Sequence, residues 1–472
     1  MTSAVVVGSG PNGLAAALTL ARAGLAVTVL EAHESIGGGT RTSELTLPGL
    51  VHDHCSAIHP MGVASPFMQQ ADLESHGVEW LHPEVALSHP LGGGRAAALH
   101  RSIEETADGL GVDGASWRRL FGWLADHFDE LAPDILGPLL GVPRHPLALA
   151  IYGTQAVQPA SLLVKRWSTP EAKALFGGVA AHAYHPLTRP LSSAIGLMLA
   201  AVGHRYGWPV PKGGSRAITD ALAAQVVALG GTIETGRRVT SLDEVDGFDV
   251  VLLDLAPKAI AEIAGHRLPA RVRRAYERYR HAPGAFKLDL AVEGGIPWLD
   301  EHSRRAGTVH VGGTIEEMVA AEAAVFAGRM PERPFVLVGQ QYLADPSRSV
   351  GDTHPVWVYG HVPNGSRGDA TDAILDHIER YAPGTRDRVV ASSAMTPAQF
   401  EAYNPNYIGG DVITGANTML QLAFRPRLSI DPYSVGIDGV YVCSAATPPG
   451  AGVHGMCGDN AARAALRHLE RR

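Results

Sequence analysis

Gly8-Ser9-Gly10-Pro11-Asn12-Gly13 follows directly on the apolar run Ala4–Val7, and Glu31 closes a second apolar run. Residues of these types at this spacing bind a dinucleotide. Gly8 permits a tight turn, Gly10 lets a pyrophosphate reach the backbone, and Gly13 lets the next helix pack on the strand. Pro11 and Asn12 belong to the same phosphate-facing turn, and a helix N-terminus offers free N–H groups and a positive dipole end. Glu31, with Ala32 beside it, can accept hydrogen bonds from both ribose hydroxyls and would repel a 2′-phosphate. A glycine turn without a ligand is the bland alternative. The order of elements argues against it: strand, turn, a helix over about Leu14–Ala23, Gly24 as helix stop, strand Leu25–Leu30, then the acid.

The far end of the chain offers a matching element. Gly439–Ser444 reads as a short buried strand and Ala446–Gly455 as a second glycine-rich turn, with a helix from about Met456 to Leu469. An extended FAD needs two such turns. The first holds its ADP half; the second, through Gly450, Gly452, Val453 and His454, presents a helix N-terminus to the flavin pyrimidine, where negative charge collects on reduction.

These motifs resemble the phytoene desaturase family of flavoproteins, and within it the branch akin to the pyridine nucleotide-disulfide oxidoreductase domain-containing protein of human mitochondria. The N-terminal fingerprint, Pro211-Lys212-Gly213-Gly214, Val250–Pro257, His354–Pro363 and Thr447–Gly452 carry the resemblance over most of the chain. It implies FAD rather than NAD, because the stretch Gly37–Thr42 accompanies FAD in such proteins; Gly38, Gly39, Thr40 and Arg41 then join the cofactor site. It also implies that Val239 meets the adenine side through its backbone and that Ser444 lies on the flavin side. Two departures stand out. Relatives often carry arginine where this chain has Gly39, so that phosphate contact is absent or falls to Arg41. Many flavoproteins place an acid on the ribityl chain near Ala445, where this chain has small residues and only backbone N–H groups to offer.

The expected fold class is α/β: a discontinuous Rossmann-like FAD-binding domain with an α+β substrate domain, in a phytoene desaturase or amine oxidase-like architecture. The FAD domain is assigned to about 1–80, 205–268 and 425–472. The substrate domain takes 81–204, read as helical, and 269–424, read as sheet. A helix is expected over about Ser215–Leu229, with strand Thr232–Thr235 after it. Phe286, Leu288, Leu290 and Val292 alternate with Lys287, Asp289 and Ala291 as in a strand, and Phe335–Gly339 and Val356–Val362 follow.

Composition bounds the rest. The chain has 472 residues, 46% hydrophobic and 18% charged, enough for two interlaced cores. Lys plus Arg (39) against Asp plus Glu (47) gives a net charge of −8 without long runs, which argues against nucleic acid. Cys55, Cys443 and Cys457 form no C-x-x-C pair, so a disulfide-reductase mechanism lacks its redox couple and a reducing compartment fits. The first strand starts at once, leaving no room for a signal peptide, and no apolar stretch reaches membrane-span length. The expectation is a cytoplasmic protein. Peripheral membrane contact stays open through Asp134–Trp167, where Leu136, Leu139, Leu140, Leu147, Leu149 and Ile151 alternate with Arg144, Lys165 and Arg166; a buried helix pair lining the substrate cavity is the favoured alternative, and a homodimer contact a third.

Gly92-Gly93-Gly94 and Gly312-Gly313 lack strand–turn–helix context, so a dedicated NAD(P)H domain is not expected. His454 is the candidate catalytic residue, facing the isoalloxazine; capping the last helix is its plainer role. His52, His54, Cys55 and His59 form the densest set of ligating side chains, but no metal is assigned to them. Trp357, Tyr359 and His361 share a strand face and are read as core before substrate wall, and His182, Tyr184 and His185 as packing. The leading function is oxidation or reduction of carbon–carbon bonds in an apolar polyene, isoprenoid or lipid-like substrate. The alternatives are a flavin amine oxidase, and a redox-neutral isomerase or non-catalytic flavoprotein partner.

Overall fold

The computed structural model describes residues 2–138 and 141–471. Leu139 and Leu140 of the apolar stretch lie outside these residues. Two sheets organise the chain. The first is wholly parallel, in the order Val440–Val442, Val250–Leu253, Ser3–Val7, Ala26–Leu30, Thr232–Glu234. Its inner strands are short β-branched runs buried on both faces, as a parallel sheet covered by helices requires, while the edge strand Thr232–Glu234 is largely exposed. They come from three separate stretches, so the Rossmann-like sheet closes only when the two ends and the middle of the chain meet.

Helix Pro11–Arg22 covers one face of this sheet between the helices Arg216–Ala228 and Met456–Leu469. Its small residues let its neighbours approach. A side chain on Gly458 would run into the Asn12 carbonyl, so the first and last helices touch backbone to backbone at that point. The opposite face packs on Ile260, Val272 and Tyr276.

The second sheet has seven strands, in the order Val389–Met395, Gly284–Glu293, Thr353–Val362, Val336–Gly339, Ala306–Val311, Val85–Gly92, Arg95–Leu99. All neighbours are antiparallel except Ala306–Val311 against Val85–Gly92. The last two strands correct the reading of 81–204 as helical. Gly92-Gly93-Gly94, with φ of 90°, 62° and 72°, turns a hairpin there. The alanine run Ala96–Ala98 has weak strand propensity and hid the second strand. Phe286, Leu288, Leu290 and Val336 fill a core on one side of the sheet. The other side carries Lys287, Asp289, Trp357, Tyr359 and His361 and turns toward the helices Pro170–Ala181 and Ser192–Tyr206.

One buried arginine fastens the two halves. Arg348 (1% exposed) donates from Nη1 to Asp53 Oδ2 at 2.6 Å, from Nε to Asp345 Oδ2 at 3.0 Å, and from Nη2 to the Pro211 carbonyl at 2.7 Å. Asp53 in turn accepts from Thr42 Oγ1 and from the Ser215 N–H. The loops at 42–53, 211–215 and 345–348 are held by that single guanidinium.

Candidate cofactor and substrate cavity

The glycine turn is shaped by the strand beside it. Gly8 (φ 104°) ends the first strand and donates its N–H to the Leu30 carbonyl at 2.8 Å. A side chain on Gly10 would come within 2.8 Å of Asp254 Oδ2, and one on Gly13 would strike the Gly8 carbonyl. Helix, turn and the strand end at Leu253–Asp254 are therefore in backbone contact. Asp254 is the residue that sequence reasoning missed here. Its Oδ2 accepts the Gly13 N–H at 3.1 Å, and burial raises its pKa from 3.8 to about 7. It was visible as the one charge closing the apolar run Val250–Leu253.

Glu31 is almost fully engaged. Oε2 accepts from the Ser9 N–H at 2.9 Å and Ser9 Oγ at 2.6 Å, and Oε1 accepts from the His33 N–H at 2.8 Å and Arg41 Nη2 at 3.4 Å. A ribose hydroxyl would reach it by taking the place of the Ser9 hydroxyl. Arg41 also donates to the Ser35 carbonyl from Nε (3.1 Å) and Nη2 (2.8 Å), so its guanidinium fastens the loop 31–41. Gly39 owes its identity to Tyr407, whose hydroxyl fills the space that a side chain at 39 would need. Thr40 is buried and donates to the Gly37 carbonyl at 2.8 Å.

These elements border one cavity of about 790 Å³, within the range of cofactor and small-molecule sites, roughly 300–1,000 Å³. Gly8, Gly10, Pro11, Asn12, Glu31, Ala32, Gly38, Gly39, Thr40, Arg41, Val239, Ser444, Gly452, Val453 and His454 all line it; Gly13 and Gly450 stand behind its wall. A dinucleotide suits this end. The Asn12 Oδ1 atom is buried at the turn without a hydrogen-bond partner, and a side chain on Gly38 would come within 3.0 Å of Gly10 Cα, leaving a narrow, backbone-lined groove.

His454 makes the contacts of the plainer of its two expected roles. The Met456 N–H donates to its Nδ1 at 3.0 Å, and its Nε2 meets the Gly450 carbonyl at 3.1 Å. Both ring nitrogens are taken, and burial lowers the pKa to about 4. The ring is neutral, with its one proton on Nε2 toward the Gly450 carbonyl, and it caps the last helix and braces the turn. The four ligating residues of 52–59 also part company. His52 Nδ1 stands 3.2 Å from Asp289 Oδ1, His54 Nε2 meets Ser43 Oγ, and His59 Nε2 meets Ser215 Oγ. Cys55 lines the cavity, its thiol pushed up to about 11 by burial.

The rest of the cavity runs under the seven-stranded sheet. Leu149, Tyr152, Ile195, Met198 and Leu337 give it an apolar wall, and Trp357, Tyr359, His182 and Tyr184 line it too. This departs from the reading of those four as packing residues; His361 pairs with Glu322 (2.8 Å) and His185 rests on Phe326 instead. Tyr184 and Tyr359 stack with centroids 6.2 Å apart at 10°. Tyr184 carries a left-handed backbone (φ 49°), an unfavourable conformation for an aromatic residue. Lys287, 1% exposed, joins this wall with its ammonium on Asp289. Opposite charges two residues apart on a strand share a face; the sequence carried that signal, but not that the face turns inward. The apolar stretch splits: Leu136 and Leu149 line the cavity, whereas Leu147 and Ile151 are 74% and 40% exposed. Among the described residues no single helix is long and apolar enough to cross a membrane.

A parallel sheet with a dinucleotide turn is joined through one cavity to a second sheet, and the comparisons with known proteins find the same Rossmann-like start. The family model for a NAD(P)-binding Rossmann-like domain matches residues 6–71. The chain is similar to pyridine nucleotide-disulfide oxidoreductase domain-containing protein 2 of Mus musculus, 24% identical over 99% of this chain and 94% of that one. Phytoene dehydrogenase of Streptomyces griseus is 25% identical over 95% of this chain and 92% of its own length. In fold, the chain is similar to cyclohexylamine oxidase from Brevibacterium oxydans IH-35A, with a TM-score of 0.57 at 17% identity and full coverage of both chains.

Proposed function

We propose that the chain is an FAD-dependent oxidoreductase that desaturates or saturates a carbon–carbon bond in an apolar, polyene, isoprenoid or lipid-like substrate. The continuity of the cavity carries this reading: one space runs from the Gly8–Asn12 turn and Glu31, past Ser444–His454, to the apolar wall of Leu149, Ile195 and Met198. FAD, when bound, supplies hydride acceptance and return at its ring. The chain's own residues bind, orient and exclude water. Gly8, Gly10 and Glu31 would hold the ADP half; Gly452, Val453 and the capped His454 would shape the flavin side; the apolar wall would align a substrate carbon and keep the site dry. Anaerobic photoreduction tests it. Reoxidation of the reduced protein by an apolar alkene, or bleaching of the oxidised protein by its saturated counterpart, is the expected result. A purified protein that takes up no flavin on reconstitution overturns the reading.

A flavin amine oxidase is the second reading, favoured by the stacked Tyr184–Tyr359 pair in the cavity and by the cyclohexylamine oxidase fold. Hydrogen peroxide formed with cyclohexylamine and not with alkenes would select it.

A further inference from the structure

Among the buried cations of the described residues, Arg41, Lys287 and Arg348 each face a carboxylate. Arg425 does not. It is 1% exposed and lines the cavity, yet no carboxylate of the described residues comes within ion-pair distance. Its contacts are with neutral groups: Nη1 to the Ala445 carbonyl at 3.5 Å, Nη2 to the Gly415 carbonyl at 3.3 Å and to Asn417 Oδ1 at 3.4 Å, and a side-chain hydrogen bond with Tyr279, while Nε has no partner. Charge-assisted bonds of a guanidinium run to about 2.7–2.9 Å. Asp411, whose backbone lies four residues before Gly415, is taken up by the N–H groups of Ala282, Ile413 and Gly415 and by the His281 ring at 3.2 Å. A guanidinium stays charged at every physiological pH, and a buried charge without a counter-ion is costly. Gly450 is kept small by this side chain, since a Cβ there would collide with Nη1.

We propose that Arg425 is the receptor for an anionic head group, and that the substrate is an apolar chain ending in a carboxylate. The inference rests on the reading of the cavity as a substrate site and narrows its substrate class. The guanidinium donates to the two carboxylate oxygens side by side, a match of planar geometry that an ammonium lacks. The tail then lies along Leu149, Ile195 and Met198.

The test is calorimetric binding of dodecanoate and oleate, each against the matching alcohol, to the wild-type protein, Arg425→Gln and Arg425→Lys, with flavin content read separately from visible absorbance. Wild type is expected to prefer each acid by tenfold or more. Arg425→Gln should lose that preference with its flavin content unchanged, and Arg425→Lys should keep part of it. Equal affinity for acid and alcohol in the wild type overturns the proposal. So does a glutamine variant that keeps the preference but sheds flavin, because the guanidinium would then serve the dinucleotide. If Arg425→Gln fails to fold, the wild-type preference and the lysine variant still decide. A wild-type protein that prefers acids but takes up no flavin refutes the FAD reading and leaves the anion site standing.

Discussion

Arg348 and Arg425 are both buried to 1% exposure, and their surroundings are opposite. Arg348 meets two carboxylates and a carbonyl at 2.6–3.0 Å. Arg425 meets only neutral oxygens at 3.3–3.5 Å and keeps one nitrogen bare. The first arrangement is complete without any ligand, so its function is to hold three loops together. The second is complete only with an anion. Two acids at the dinucleotide turn also differ: Glu31 has four donors, whereas Asp254 has only the backbone N–H groups of Gly10 and Gly13 and an elevated pKa. For the two arginines, pairing goes with structure and its absence with a site.

The largest effect should come from breaking the paired side. Arg348→Ala leaves Asp53 and Asp345 buried without their cation, and truncating one member of a buried ion pair costs about 3–5 kcal/mol. Urea unfolding should show the loss in the midpoint. A variant within about 0.5 kcal/mol of wild type would mean that Asp53 and Asp345 find other partners and that the contrast with Arg425 is weaker than the distances suggest.

Asp254 sharpens the comparison through pH. Its pKa rises from 3.8 unfolded to about 7 folded, so between those limits the folded protein holds a proton that the unfolded chain has released. Its contribution is therefore full below about pH 4, is lost as pH rises to about 7, and is constant above. At about 1.36 kcal/mol per unit the swing is on the order of 4 kcal/mol. Asp254→Asn keeps an acceptor for the Gly13 N–H and should remove this slope. Histidines buried neutral, such as His59 and His454, with values near 4, tilt the same range the other way. The readout is thus the difference between variant and wild type, cofactor-free, in urea midpoints from pH 5 to 8. A difference independent of pH would show that Asp254 is ionised throughout.

How much of this was legible beforehand follows the same division. The dinucleotide end could be read because its chemistry is local: Gly8 to Gly13 and Glu31 lie within one strand–helix–strand unit. The last helix could be read to the residue, Met456–Leu469, because a glycine turn precedes it. The hairpin at Val85–Leu99 was obscured by alanines whose strand state is imposed by the parallel neighbour Ala306–Val311. Arg425 gave no signal at all, since phenylalanine and proline flank it and its neighbours Gly415, Asn417 and Gly450 meet it only in three dimensions. His454 could be read both as a flavin-facing residue and as a cap on the last helix; its hydrogen bonds to Gly450 and Met456, which depend on backbone geometry that no spacing rule supplies, fit the cap.

Glu31→Ala makes a smaller break, on the cofactor rather than the fold. Removing the carboxylate frees Ser9, His33 and Arg41 as well as the ribose hydroxyls, and charged hydrogen bonds contribute about 1.5–3 kcal/mol each. FAD affinity should fall by on the order of 2 kcal/mol, measured by flavin fluorescence on titration. Unchanged affinity would mean that Glu31 is fully spent on its protein partners and that the ribose is held elsewhere.

The smallest effect contrasts the two sides of one apolar stretch. Leu136 and Leu149 face the cavity, while Leu147 and Ile151 look outward beside Arg144, Lys165 and Arg166. An apolar surface rimmed by basic side chains suits the interface of an anionic bilayer, with each buried CH₂ contributing about 0.8 kcal/mol. A lipid-like substrate would then enter from the membrane. The protein should float with anionic vesicles at low salt, less at high salt, and severalfold less when Leu147 and Ile151 are both changed to serine. The paired mutation touches neither the cavity wall nor Arg348, so stability and flavin content should stay level. Wild-type protein that remains at the bottom of the gradient with and without salt removes the bilayer as the occupant. The outward leucine and isoleucine would then be a contact for a second copy of the chain, and gel filtration of the same serine variant would show it as a shift from dimer to monomer.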